Sequence, residues 1–388
     1  MKIGIVCYPT FGGSGVVATE LGSWMARQGC EVHFITYSQP VRLDMLQGNI
    51  FYHEVNVHDY PLFQYQPYEL ALSSKMVDTV VREQLDLLHV HYAIPHAYAA
   101  YMAKQILADR GIHIPVVTTL HGTDITLVGR NPSYSPAVTF SIEHSDAVTA
   151  VSVSLRRETI DLFGIKRPIQ VIPNFVEMER YGRPDAALRA HLAPVDQKIV
   201  VHVSNFRKVK RIADVVEIFA RVHAQVRCKL VMVGDGPERE PAENRVRELG
   251  IEKDVVFLGK MVDVEQILVQ ADLFLLPSEM ESFGLAALEA MAAGVPVVAS
   301  QAGGICEVVQ NGITGLTAPV GDVAAMAEQS IRILTDPALA ARFAAASRLR
   351  ASEFAIENVA KQYYDVYLPL VEAAQERMHG KKVRLKPC

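Results

Sequence analysis

Two carboxylates eight residues apart, Glu281 and Glu289, frame the segment Ser278-Glu279-Met280-Glu281-Ser282-Phe283-Gly284-Leu285-Ala286-Ala287-Leu288-Glu289-Ala290-Met291. The pattern predicts a helix with Glu281 at its start and Glu289 about two turns in. Residues through Ala293 are almost all apolar, so Glu289 is a carboxylate in a buried element and needs hydrogen-bond donors. Ligand hydroxyls would supply them; a pairing with a protein group is the alternative. Backbone N–H groups around Ser282, Phe283 and Gly284 offer an anion site at the helix start. A second chemical cluster is Asn205-Phe206-Arg207-Lys208-Val209-Lys210-Arg211, where the last five residues carry four cations. A solvated basic turn is one reading of it. Facing a cleft, the same cations would stabilise a diphosphate. Gly234, in Val233-Gly234-Asp235-Gly236-Pro237, marks a tight turn after an apolar run.

The N-terminal half carries Pro9-Thr10-Phe11-Gly12-Gly13-Ser14-Gly15 ahead of a helical pattern. Its glycines let backbone approach a ligand, and the helix start offers N–H groups to an anion. Gly13-Ser14-Gly15-Val16-Val17-Ala18 also fits the dinucleotide fingerprint G-x-G-x-x-A. That reading is opposed by a turn that starts several residues late and by Phe34-Ile35-Thr36-Tyr37-Ser38, which lacks a ribose-binding carboxylate. Further on, Thr119 and His121 share one face at the end of a strand running into Gly122-Thr123-Asp124. Tyr92 ends another strand and would reach the same edge. A structural histidine is the competing account of His121.

These residues need a scaffold that brings strand ends together. Short Val/Ile/Leu runs alternate with helical stretches throughout, with strands predicted at Ile3–Cys7, Val32–Thr36, Leu87–His91, Val116–Leu120, Ala147–Val151 and Gln170–Ile172. The second half repeats the rhythm at Ile199–Val203, Lys229–Val233, Val255–Leu258, Leu273–Leu276 and Val297–Ala299. Such runs read as parallel sheets covered on both faces. The expected fold is α/β, with two Rossmann-like, doubly wound domains and a ligand-binding interdomain cleft. At 388 residues, two domains fit roughly 100–200 residues each. The break falls near residue 173, giving domains 1–172 and 173–354. A helix at 355–378 follows, then a basic tail at 379–388.

Composition narrows the function. A 50% hydrophobic chain can bury large cores, which excludes global disorder. A net charge of −5, a single Trp and 7% aromatic residues argue against nucleic-acid binding. No apolar run reaches the ~18–20 residues of a membrane helix, and Met1–Cys7 reads as a first strand rather than a signal peptide. Five scattered cysteines without a CxxC pair point to neither disulfides nor zinc, so a cytoplasmic protein is expected. Homo-oligomer formation stays open.

Glu281 and Glu289 flanking Phe283-Gly284, with Gly294-Val295-Pro296-Val297-Val298-Ala299 and Gly303-Gly304 downstream, resemble the E-x7-E region of retaining glycosyltransferases of family 4. The resemblance spans nearly the whole chain and implies the GT-B fold, with the C-terminal helix packing back on the first domain. Cys7-Tyr8-Pro9, Gly12–Gly15, His91–His96, His121–Ile125 and Ser204–Arg211 together resemble members of that family that join the sugar of UDP-GlcNAc to L-malate in bacillithiol biosynthesis. By this resemblance Glu289 holds the uridine ribose and Glu281 the sugar hydroxyls. Ser282, Phe283, Gly284 and Leu285 add donor contacts, together with Gly13, Asn205 and Gly234. Lys210 is the phosphate lysine. Asn205 stands where the family has an arginine, which leaves Arg207 as the second cation. His121 would lie near the sugar, and Ser14, Tyr92, Thr119 and Arg42 are the acceptor candidates.

The resemblance implies retention at the anomeric carbon, with same-face attack and preorganised cations stabilising the leaving diphosphate. The chain has no Asp-x-Asp, so no metal and no other cofactor is expected. Stable membrane association is not expected either, since no basic amphipathic helix stands out. The rival readings are a family 4 transferase with another acceptor, a UDP-GlcNAc epimerase of the same architecture, a sugar-nucleotide-binding module without chemistry, and an NAD dehydrogenase.

Overall fold

A computed structural model describes residues 1–10, 12–57 and 65–379. The chain forms two compact units, Met1–Pro173 with the chain from Glu357 onward, and Asn174–Ile356. Of the expected basic tail, residues 380–388 lie outside the described residues, as does Phe11.

Unit 1 is built on seven strands: β1 (Lys2–Val6), β2 (Glu31–Thr36), β3 (Ile50–Glu54), β4 (Leu87–His91), β5 (Val116–Leu120), β6 (Ala147–Ala150) and β7 (Ile169–Val171). They are ordered β3-β2-β1-β4-β5-β6-β7, and every pairing is parallel. The direction of winding reverses between β1 and β4. In such sheets the loops leaving the two central strands diverge and open a crevice at their C-terminal ends. β1 is Lys-Ile-Gly-Ile-Val, and β4 and β5 are buried at every residue, as two-sided coverage demands. Leu72, Met76 and Val80 of helix Tyr68–Glu83 and Ala99, Ala100, Ala103 and Leu107 of helix Tyr98–Ala108 cover one face, against Val6, Ile35, Leu88 and Val90.

The C-terminal helix Ile356–His379 belongs almost wholly to unit 1. Ile356, Val359, Ala360, Tyr363, Tyr367 and Val371 are buried, a stripe at helical spacing. Its Tyr367 hydroxyl lies 2.6 Å from His89 Nδ1 in the middle of β4.

Unit 2 holds β8 (Lys198–Val203), β9 (Cys228–Val233), β10 (Val255–Gly259), β11 (Leu273–Leu276), β12 (Val297–Ser300) and β13 (Gly315–Ala318). The order is β10-β9-β8-β11-β12-β13, again all parallel, with the reversal between β8 and β11. Phe206, Phe219 and Phe343 anchor its core with Leu230, Met232, Leu273 and Leu275.

Two strands, β3 and β13, escape the sequence pattern. β3 is an edge strand with one fully buried residue, and β13 opens on Gly315, so neither shows a Val/Ile/Leu run. One helix is also shorter than its apolar pattern. It spans Leu285–Ala292, so Glu281 lies in the preceding loop and Glu289 sits one turn in rather than two.

Candidate active site

The chemistry-bearing residues gather at the reversal point of each unit's sheet. In unit 2, β8 leads into a single helical turn at Lys208–Lys210, and β11 leads into the loop that holds Ser278 and Glu281. The backbone N–H of Glu279 donates to Val209 O at 2.8 Å and joins the two loops. Lys210 Nζ then lies 2.6 Å from Glu281 Oε1, which also accepts from the fully buried Ser278 Oγ at 2.8 Å. The Glu281 carbonyl accepts from Gly304 N–H at 2.8 Å, so one residue ties three loops. The pair is mostly sheltered, with side-chain exposures of 20% for Lys210 and 10% for Glu281. Lys210 keeps two further N–H donors for a ligand.

The rest of the basic run divides in two. Arg211 pairs with Asp214 at 2.6 Å. Arg207 and Lys208 are exposed and have no ion pair among the described residues. Asn205 is exposed beside them. Beneath this run His202 donates from Nδ1 to Leu275 O at 2.8 Å, and its Nε2 accepts from Ser204 Oγ at 2.8 Å. Burial pushes its pKa down to about 4, so the ring is neutral under the cations.

Gly234 has φ +127°, and a Cβ there would come within 1.7 Å of Ser204 O, so only glycine lets the β9 loop lie against the β8 loop. Gly284 caps helix Leu285–Ala292 with Ser282 just ahead of it. The Phe283 side chain is core, its ring 5.7 Å from that of Phe354, which leaves its backbone for a ligand. Leu285 is half-buried, and Glu289 is 9% exposed.

In unit 1 the loop after β1 reaches Gly13, which is exposed at φ +61°, ahead of helix Ser14–Arg27. Ser14 Oγ lies 2.6 Å from the Tyr92 hydroxyl, joining the loops that leave β1 and β4. Tyr92 holds a left-handed φ of +87°, an unfavourable conformation that the surroundings enforce. Its ring centroid is 5.1 Å from His121 and 5.3 Å from Tyr8. His91 Nδ1 lies 2.8 Å from His121 Nε2. Asp124 fastens the ends of β4 and β5 by accepting from Ala93 N–H at 2.8 Å and Gly122 N–H at 3.0 Å. Burial raises its carboxyl to about 6 despite these donors, and burial pushes His121 down to about 3. At neutral pH His121 is therefore an uncharged hydrogen-bonding group.

Two acceptor candidates sit differently from the rest. Thr119 is fully buried, and its hydroxyl lies 2.7 Å from both His89 Nε2 and Thr149 Oγ1. Arg42 Nη1 is 2.6 Å from Glu20 Oε1, with 7% of its side chain exposed. Strand alternation gave Thr119 the right face but could not tell a lining residue from one sealed by the next strand. Sequence reasoning assigned no role to Ser278, His202, His91 or Asp124. For Asp124 the spacing Gly122-x-Asp124 was a readable signal of a side chain accepting from nearby backbone.

Among the described residues one cluster has metal-ligand spacing: Glu31, His33 and Glu83, with ligand atoms within 4.8 Å of one another. It begins at the N-terminal end of β2, the opposite sheet edge from Tyr92 and His121, and Lys2 Nζ already lies 2.8 Å from Glu31. No helix among the described residues is long and apolar enough to cross a membrane.

Family models match the chain in two parts, Glycosyltransferase Family 4 over residues 11–180 and Glycosyl transferases group 1 over residues 185–350. The chain is 49% identical over 370 residues to N-acetyl-alpha-D-glucosaminyl L-malate synthase of Bacillus anthracis, covering 95% of this chain and 96% of that one. It is 27% identical to an uncharacterized glycosyltransferase of Methanocaldococcus jannaschii over 95% of this chain and 94% of that one. Its fold resembles sucrose-phosphate synthase from Thermosynechococcus elongatus, with a TM-score of 0.79, 24% identity and coverage of 96% and 99%. Anabaena HepE in complex with UDP and glucose gives a TM-score of 0.80 at 21% identity, covering 95% and 100%. The fold is GT-B, an architecture of two Rossmann-like domains, and the chain belongs to the glycosyltransferases that join a family 4 N-terminal module to a group 1 C-terminal module.

Proposed function

We propose that this glycosyltransferase moves N-acetylglucosamine from UDP-GlcNAc to the hydroxyl of L-malate, with retention, giving GlcNAc-malate and UDP for bacillithiol biosynthesis. The observation that carries the reading is the 49% identity to the malate synthase over 95% of the chain. The sites at both sheet reversals support it, because each offers groups suited to one substrate.

Unit 2 takes the donor. Glu289 accepts from the ribose hydroxyls and Glu281 from the sugar hydroxyls. Lys210 and Arg207 lie against the diphosphate, with the N–H groups at the Gly284 helix start adding a partial positive charge. Asn205, Gly234, Ser282, Phe283 and Leu285 complete the donor contacts of unit 2, and Gly13 is the donor contact assigned to unit 1. As the bond from the anomeric carbon to the β-phosphate oxygen breaks, negative charge grows on that phosphate, and fixed cations stabilise it without reorganisation. The malate oxygen attacks the same face, and its proton passes to the departing phosphate oxygen.

Unit 1 takes the acceptor through the Ser14–Tyr92 hydroxyl pair, with His121 donating to the sugar. Of the other two acceptor candidates, Thr119 acts behind that surface, and Arg42 would serve malate only by leaving Glu20. The diphosphate charge is carried by protein groups, so activity should survive a chelator. The substrates are water-soluble, which suits a cytoplasmic enzyme.

The test is mass analysis of products from UDP-GlcNAc with a panel of 2-hydroxy acids. A GlcNAc-malate conjugate is expected. A conjugate with another acid but not malate overturns the acceptor, and epimerised donor without any acceptor overturns the transferase.

A further inference from the structure

The buried histidines of unit 1 fix one another's protons. His96 Nδ1 lies 2.5 Å from the carbonyl oxygen of His91, and a carbonyl only accepts, so the His96 proton sits on Nδ1. The Nε2 of His96 is buried with no partner among the described residues. The atom left alone there is a lone pair and not an N–H.

His91 faces the same choice. Its Nδ1 lies 2.8 Å from His121 Nε2, and its own Nε2 is buried without a partner. If His121 donated, His91 would bury an N–H that nothing receives. If His91 donates, only a lone pair is stranded. Stranded buried donors are the rarer state in proteins. Burial also holds His91 well below its ordinary pKa, so it does not escape the choice by taking a second proton. The ring centroids are 5.1 Å apart and the planes 23° apart, a geometry that fits donation in either direction, so the stranded atom decides it.

We propose that His91 is a positioning residue for sugar transfer: its Nδ1–H donates to His121 Nε2 and locks His121 in the tautomer whose proton is on Nδ1. His121 Nδ1 has no partner among the described residues, so that N–H is available to a ligand. A histidine in water prefers its proton on Nε2, so the lock works against the intrinsic preference. The inference rests on the placement of His121 beside the sugar, but the tautomer itself can be read without substrate.

The test is a two-bond proton–nitrogen spectrum of the full chain with 15N-labelled histidine, with His121 assigned by the signal lost in His121→Asn. A protonated Nδ1 and a bare Nε2 are expected. In His91→Leu the His121 signal should switch to the Nε2–H pattern. Turnover should fall about tenfold or more while KM for UDP-GlcNAc stays within about threefold, the signature of a contact that matters in the transition state. His91→Asn, whose amide can take the place of Nδ1–H, should recover most of the turnover. A protonated Nε2 on His121 in the unaltered protein overturns the proposal, whether or not His91→Leu folds. So does a His91→Leu protein that loses turnover while His121 keeps its proton on Nδ1. If the sugar is not transferred at all, the spectrum still reports the lock, so failure of the functional reading is distinguishable.

Discussion

Acidification should unfold unit 1 well before unit 2. Burial sets the pKa of His89 and His121 at about 3 and that of His96 at about 4, against an ordinary 6.5. Between those limits the unfolded chain binds the protons and the folded chain does not, so each histidine contributes stability that is lost as pH falls below 6.5. At pH 5 the loss is about 2 kcal/mol for each. Asp124 acts in the opposite sense. Its carboxyl is raised from 3.8 to about 6, so acidification relieves an ionised buried group and returns about 1–2 kcal/mol at pH 5.

The balance for unit 1 is a loss of roughly 4–5 kcal/mol, with His91, His33 and His53 adding in the same direction. Unit 2 has His202 at about 4, worth about 2 kcal/mol. The single tryptophan, Trp24, lies in helix Ser14–Arg27, so its fluorescence reports unit 1 while circular dichroism reports both units. With a urea dependence of ~2 kcal/mol per molar, the Trp24 midpoint should drop by about 2 M between pH 7.5 and pH 5. A drop below ~0.5 M, or a rise, would refute the view that these rings are buried neutral.

Three further outcomes follow from the geometry. Lys210→Met should lower kcat by about 30- to 1,000-fold, the equivalent of ~2–4 kcal/mol of lost charge stabilisation; steady-state UDP release measures it, and a change under threefold sinks the assignment. Gly234→Ala must relieve a 1.7 Å contact with Ser204 O at φ +127°, so unit 2 should lose about 3 kcal/mol or more in denaturant unfolding, and an unchanged midpoint contradicts the backbone argument. Tyr367→Phe strips His89 Nδ1 of its partner, and the Trp24 transition should register ~1–3 kcal/mol of destabilisation.

Much of the scaffold was legible because parallel strands buried on both faces read as near-continuous apolar runs, as in Leu273–Leu276 and Val297–Ala299. β3 was not, since an edge strand with exposed Phe51 and half-buried Tyr52 carries no such run. The start of helix Leu285–Ala292 was overread because Gly284, in a left-handed conformation at φ +93°, sets the helix N-terminus and leaves Glu281 in the loop before it. Glu281 and Lys210 were picked out by residue type, but their direct contact depends on two loops from strands far apart in sequence, which no local pattern encodes. Thr119 and Arg42 show the same limit from the other side. Their chemistry suited an acceptor, while the neighbours that engage them, Thr149 and Glu20, come from other elements.

A lysine held against a glutamate exerts little pull at a distance, because an approaching anion sees a dipole and not a net charge. On the proposed donor site, long-range capture of a nucleotide would fall to the exposed Arg207 and Lys208, and added salt should slow arrival through those two side chains. Once the donor is seated, Lys210 has only to share its ammonium between partners already within reach. The division leaves encounter to the exposed rim and turnover to the groups against the diphosphate, so a Lys208 substitution should tune how fast substrate arrives without touching how fast it reacts, whereas an Arg207 substitution should change both.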